Sequence, residues 1–170
     1  ALVDNDVNIM AVGEHWSTWR DEAFLLFVKM GTGIGSGIVA GGHVHRGADG
    51  AAGDIGHIHV PDHDDIVCRC GNRGCLEAFA GGGAMAARLR EAGLDTHTSL
   101  DVVDRVRAGH PVATQLIREA GRAVGGVLAT CVNMLNPAVI VIGGDLARTD
   151  EPLLAGVREA VYRRSLPLAT

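Results

Sequence analysis

Three of the four cysteines crowd into one short stretch, Cys68-Arg-Cys70-Gly-Asn-Arg-Gly-Cys75, with His57 eleven residues ahead of the first. Thiolate and imidazole are donors that zinc prefers, and four of them around one ion close a tetrahedral structural site with no open position. Gly71 and Gly74 let the backbone fold around an ion without a Cβ penalty. Free cysteines are common in cores, but three this close in a polar loop point to a shared metal ion. His59 and His63 are rival nitrogen donors, and on a strand His59 would share a face with His57; His57 is preferred over both. Cys131 lies far from the cluster, on the apolar stripe of a later helix, and reads as core packing. This distribution suits a reducing cytoplasm better than a disulfide framework.

The chain on either side of the cluster reads as one α/β unit. Ile9, Met10, Val12 and Trp16 recur at spacings of three and four, which predicts an amphipathic helix over Val7–Trp19. Phe24–Met30 is too short for a helix and is bounded by glycine, so it reads as a buried strand. Gly31-Thr-Gly-Ile-Gly-Ser-Gly37 runs into Ile38-Val39, then Gly41-Gly42 and His43-Val44. The glycine loop therefore feeds a hairpin and not a helix, which disfavours a Rossmann crossover. Ile55–Val60 predicts a further strand, and Pro61–Gly74 a polar loop. Helices are expected from Leu76 on toward Arg90, over Leu100–Arg107, over Pro111–Leu135 and over Glu151–Arg164, with a buried strand at Ala138–Ile142 and a turn at Gly143-Gly144. Pro111 fits the first turn of the long helix, whose stripe runs Val112, Leu116, Ile117, Ala120, Val124, Val127, Leu128, Cys131 and Leu135.

Net charge −5 argues against a broad phosphate-tracking surface. The longest apolar runs fall far short of the roughly 20 residues a membrane-spanning helix needs, and no secretory signal is visible. We expect no membrane partner. Ala1 stands where an initiator Met would, so the chain reads as a fragment of a longer protein.

Gly56-His57, ten residues, then Cys-x-Cys-Gly-x-x-Gly-Cys-x-Glu ending at Glu77 resembles the signature of the ROK family, named for repressors, open reading frames and kinases. Three weaker strings agree in order along the chain: Val3-Asp-Asn-Asp-Val-Asn8, Gly31-Thr-Gly-Ile-Gly35 and Val141-Ile-Gly-Gly-Asp145. The resemblance implies an actin-like (ribonuclease H-like) sugar kinase fold with an inserted zinc loop. Residues 1–170 would then be a single domain fragment, most of the second lobe, with the first lobe and the extreme C-terminus absent. It also implies a homo-oligomer, commonly a dimer.

Carried over residue by residue, Asn5 and Asp6 look like the pair that contacts the sugar, with Asp6 in the position of the base that deprotonates the attacked hydroxyl in kinase members. Without the resemblance, either would read as a helix N-cap. The family usually has Glu at the position of Asp54, and the shorter side chain retracts the hydroxyl acceptor. His57 has a second nitrogen free for a sugar hydroxyl when the first binds zinc. Glu77 looks like a further acceptor, its alternative being a solvated residue at a helix start. Gly31, Thr32, Gly33 and Gly35 resemble a phosphate loop, and Gly143 and Gly144 the place where adenosine passes close to backbone. Tight turns would use the same glycines.

Two function classes share this domain. One is a transcriptional regulator whose sugar- or sugar-phosphate-binding domain shifts an attached helix-turn-helix, so that DNA is met only through a domain outside this chain. The other is an ATP-dependent hexose kinase, with Asp6 as base and magnesium carried by the nucleotide. Arg46–His57 and the ending Tyr162–Thr170 look like actinobacterial-type ROK regulators, so the regulator leads. A purely structural zinc module ranks last, because it has no use for Asn5, Asp6, Asp54 and Glu77 in one motif set.

Overall fold

A computed structural model describes residues 4–166. Val3 of the first motif and residues 167–170 of the chain ending lie outside the described residues. The elements are α1 (Asp6–Ser17), β1 (Phe24–Met30), β2 (Ile34–Ala40), β3 (His43–Val44), α2 (Leu76–Ala80), α3 (Gly82–Glu91), α4 (Ser99–Arg107), α5 (Pro111–Leu135), β4 (Val139–Gly143) and α6 (Glu151–Arg164). Short 3-10 turns occupy Ile55–His57 and Asp145–Thr149.

The four strands form one sheet in the order β3-β2-β1-β4. β2 and β3 form the expected hairpin across Gly41-Gly42, and β1 pairs antiparallel with β2 across a turn at Gly31–Gly33, so that Gly35 and Gly37 lie within β2, and parallel with β4. Because strand side chains alternate between faces, β1 feeds two cores. Leu25 and Phe27 join Val7 and Ala11 of α1 on one face. Leu26, Val28 and Met30 join the larger core built by α2 to α6 on the other. The sheet is thus the middle layer of three.

Four expectations need correction. The helix at the start forms, but on the opposite face: Val7, Asn8, Ala11 and His15 are buried, while Ile9, Met10 and Trp16 are exposed. Short side chains seat α1 close to the sheet, and proximity to the sheet outweighs the bulkier stripe. Ile55–Val60 is not a strand; its first half is a 3-10 turn and its second half is extended only against the cysteine loop, through a single bridge between His59 and Cys75. The helix after the cysteines breaks at Gly81, because the N–H groups of Gly82 and Gly83 turn to donate to the carbonyls of Gly31 (2.8 Å) and Thr32 (3.0 Å). β4 is half-buried and not buried, since it lies at the edge of the sheet.

α5 holds its predicted span, begins with Pro111 and ends at Asn136 in a left-handed conformation. Its stripe packs as read except at Val112, which is exposed; Cys131 packs against the main core. α5 and α6 meet at glycines: a Cβ on Gly156 would lie 2.3 Å from the Arg118 carbonyl oxygen and 3.0 Å from the Arg122 nitrogen. Backbone cannot yield as a side chain can, so Gly156→Val should lower stability by about 1–3 kcal/mol. Gly126, on α5, has nothing within 4 Å of its Cβ position, so Gly126→Ala should raise stability by about 0.5–1 kcal/mol. Urea denaturation midpoints check both directions.

Candidate functional site

The amino end of α1, the carboxyl end of β1, the start of β2 and the loop before His57 converge on a cleft of about 470 Å³. Asn5, Asp6, Asp54, His57 and Glu77 all line it, although more than seventy positions separate the first from the last. Gly33 and Gly35 line it as well.

Local chemistry sets each of them. Asn5 caps α1, its Oδ1 accepting from the Val7 N–H at 3.1 Å, so the cap and the cleft position belong to one residue. Asp54 is placed by Gly53, which has φ +93° and whose carbonyl accepts from both the Ser36 N–H (2.9 Å) and the Ser36 hydroxyl (2.7 Å). A Cβ there would lie 2.2 Å from the Ser36 carbonyl oxygen, so only glycine fits. Glu77 is no solvated helix-start residue: its side chain is 13% exposed, Oε2 accepts from the Ile34 N–H at 3.0 Å, and Oε1 pairs with Arg69 at 2.7 Å.

His57 joins this cleft to the cysteine cluster. The donor atoms of His57, Cys68, Cys70 and Cys75 all lie within 4.8 Å of one another, so these four can hold a metal ion. Cys70 and Cys75 Sγ are 3.7 Å apart, and Cys68 Sγ is 3.7 Å from His57 Nδ1. A tetrahedron with metal–sulfur bonds of about 2.3 Å has sulfur–sulfur edges of about 3.8 Å, which these spacings match. Nδ1 therefore faces the metal position and Nε2 is the nitrogen on the Asp54 side, 4.0 Å from its Oδ2. His59 and His63 are engaged elsewhere, the first with Asp64 at 2.7 Å, the second stacked on Phe79. Burial pushes the Cys75 thiol up to about 12, while the Asn72 backbone N–H brings Cys70 down. A cation held by the four donors would offset the cost of a Cys75 thiolate. Burial also raises the Cys131 thiol, which remains a packing residue.

Lys29 and Arg69 line the cleft without having been singled out from sequence. The Lys29 ammonium donates to Asp6 Oδ2 at 2.5 Å and holds that carboxyl below the usual range. The available signal was a lone charge in the apolar run Phe24–Met30. Arg69, between two cysteines, had no signal beyond its place in the loop. Asn8 also lines the cleft; it is buried, donates to Asp4 at 3.1 Å, and its Oδ1 has no partner among the described residues.

Gly143 and Gly144 are not part of this cleft. Parallel pairing of Lys29 with Gly143 instead places them beside the Gly31–Gly33 turn, so two glycine turns share the carboxyl end of the β1/β4 pair.

The ROK family model matches residues 1–166. The chain belongs to the ROK family. It is 38% identical over 96% of its length to a putative xylose repressor from a Caldicellulosiruptor species, of which it covers 44%. It is 35% identical over 98% of its length to a glucokinase from Halalkalibacterium halodurans, of which it covers 55%. The crystal structure of a ROK family transcriptional regulator, a homologue of the E. coli MLC protein, superposes with TM-score 0.87 at 30% identity, over 98% of this chain and 45% of that one. The chain thus spans about half the length of the curated relatives it matches, and its fold is the actin-like sugar kinase fold of this family. Among the described residues, no helix is long and apolar enough to cross a membrane.

Elemental analysis of the purified protein should find one equivalent of metal. Cys75→Ser and Cys68→Ser should lose most of it, since a site with three remaining protein ligands is open to water and competing chelators. His59→Ala and His63→Ala should keep it. Retention of a full equivalent in Cys75→Ser would show that the ion sits elsewhere.

Proposed function

We propose that this chain is the sugar-binding effector domain of a ROK-family transcriptional regulator, with a structural zinc ion held by His57, Cys68, Cys70 and Cys75. The observation that carries the reading is the convergence of Asn5, Asp6, Asp54, His57 and Glu77 on one cleft. Three carboxylates, an amide and an imidazole nitrogen make a hydrogen-bonding surface suited to a polyol, whose hydroxyls donate and accept in turn. Zinc suits three thiolates and one imidazole, and in that role it would fix the ring orientation and tautomer of His57. Asn5, Asp6, Asp54, His57 and Glu77 are the proposed sugar contacts.

A regulator uses such a site by binding sugar in one conformation better than in another, biasing an attached DNA-binding domain. Similarity to a putative xylose repressor and to a solved transcriptional regulator supports this. So does Lys29: a carboxylate held below its usual range is a poor proton acceptor near neutral pH. DNA would be met only through a domain outside residues 1–170. Because the chain matches about half of each relative, we assign it to most of the second lobe; the family resemblance supports a homo-oligomer, and the clustered cysteines suit a reducing cytoplasm.

The kinase reading is kept by the glucokinase similarity and the adjoining glycine turns. There Asp6 would act as base, Gly31, Thr32, Gly33 and Gly35 would face nucleotide phosphate, Gly143 and Gly144 would adjoin adenosine, and magnesium would arrive with ATP.

Calorimetric titration of the metal-loaded chain with D-glucose, D-xylose and N-acetyl-D-glucosamine should give binding of at least one, weakened by about tenfold or more in Asp54→Ala at unchanged metal content. Silence from all three sugars would sink the sugar-binding reading. With ATP and magnesium added, sugar phosphate should not accumulate, because phosphoryl transfer needs both lobes to close on the nucleotide. Rapid, stoichiometric phosphorylation would replace the regulator by the kinase.

A further inference from the structure

Lys29 occupies an unusual seat. It is the one charged residue of β1, and its partners on both neighbouring strands are glycines, Gly35 on β2 and Gly143 on β4. No cross-strand side chain competes for the space, and a Cβ on Gly31 would come within 3.6 Å of the Lys29 Cε. The aliphatic stem thus runs over bare backbone to the first turn of α1, where the ammonium meets Asp6. Lys29 is 33% exposed and Asp6 70% exposed, and both line the cleft.

An ammonium has three N–H bonds and a carboxylate two oxygens, so one contact between them leaves donors and an acceptor side by side. A hydroxyl is the group that uses both, accepting from nitrogen and donating to oxygen. The charges lining the cleft set the ligand class. Asp6, Asp54 and Glu77 face Lys29 and Arg69, three carboxylates against two cations, which leaves an excess of negative charge. A dianionic phosphate ester is disfavoured in such a cleft, and a neutral polyol is not.

We propose that Lys29 and Asp6 together read one hydroxyl of an unphosphorylated sugar, which makes Lys29 a specificity-determining residue of the cleft. The inference rests on the sugar-binding reading above. Each member of the pair positions the other: without the ammonium, Asp6 loses the partner that fixes its rotamer.

The test is calorimetric titration of the metal-loaded full chain with D-glucose, its 2-, 3-, 4- and 6-deoxy derivatives, D-xylose and D-glucose 6-phosphate. For the wild type, loss of one particular hydroxyl should weaken binding by about tenfold or more, the scale of a hydrogen bond to charged groups. In Lys29→Met that penalty should shrink to about threefold or less, with the penalties at other positions unchanged. Lys29→Gln, which keeps a donor of similar reach, should retain part of it, and melting curves of both variants report that each is folded. Equal weakening of every sugar in Lys29→Met would mean a packing role and overturn the proposal. Tighter binding of glucose 6-phosphate than of glucose, lost in Lys29→Met, would make Lys29 a phosphate contact and also overturn it. Wild-type protein that binds none of the probes removes the sugar reading itself, a failure distinct from both.

Discussion

The imidazole of His57 presents two nitrogens in fixed opposition, and the site is arranged around the fact that they face different partners. Nδ1 lies 3.7 Å from Cys68 Sγ while Nε2 is the atom nearer Asp54. A metal held at Nδ1 would keep the ring from rotating, and the cysteine loop would then set the direction of the other nitrogen. That requirement accounts for the local backbone. A 3-10 turn at Ile55–His57 brings the ring round between the loop and the cleft, where an extended strand would have sent alternate residues to opposite faces.

The sheet supplies the rest of the frame. β1 is covered on both faces, and its carboxyl end carries Lys29, Met30 and the glycine turn into the cleft region. The turn is tied from below by the first N–H groups of α3 and closed from the side by Glu77, whose carboxylate accepts from Ile34. Glu77 in turn is held by Arg69 from within the cysteine loop. Metal loop, carboxylate and glycine turn thus form one connected chain of contacts, and disturbance of the loop reaches the cleft through two routes, His57 and Arg69.

Membership of the ROK family is consistent with both catalysis and sensing, since its members include repressors and glucokinases. The cleft is marked by its paired charges. The Asp6 carboxylate carries a lysine, and the Glu77 carboxylate on α2 carries an arginine. Such pairing orients each carboxylate as a hydrogen-bonding group, which is the property a binding site needs.

The amino-acid sequence by itself determined the grouping of His57, Cys68, Cys70 and Cys75 and the spans of β1, α5 and α6, because ligand chemistry, apolar periodicity and glycine placement are local signals. Tertiary structure alone decided which face of α1 is buried, because seating against the sheet favours Val7 and Ala11 over the larger Ile9 and Trp16, a choice no periodicity records. It alone decided the break at Gly81, whose cause is a hydrogen-bonding demand from Gly31 and Thr32, some fifty positions earlier. The meeting of Lys29 with Asp6 belongs to the same class. It depends on glycines from β2 and β4 flanking one lysine on β1, and strand register is a property of the assembled sheet rather than of any one segment.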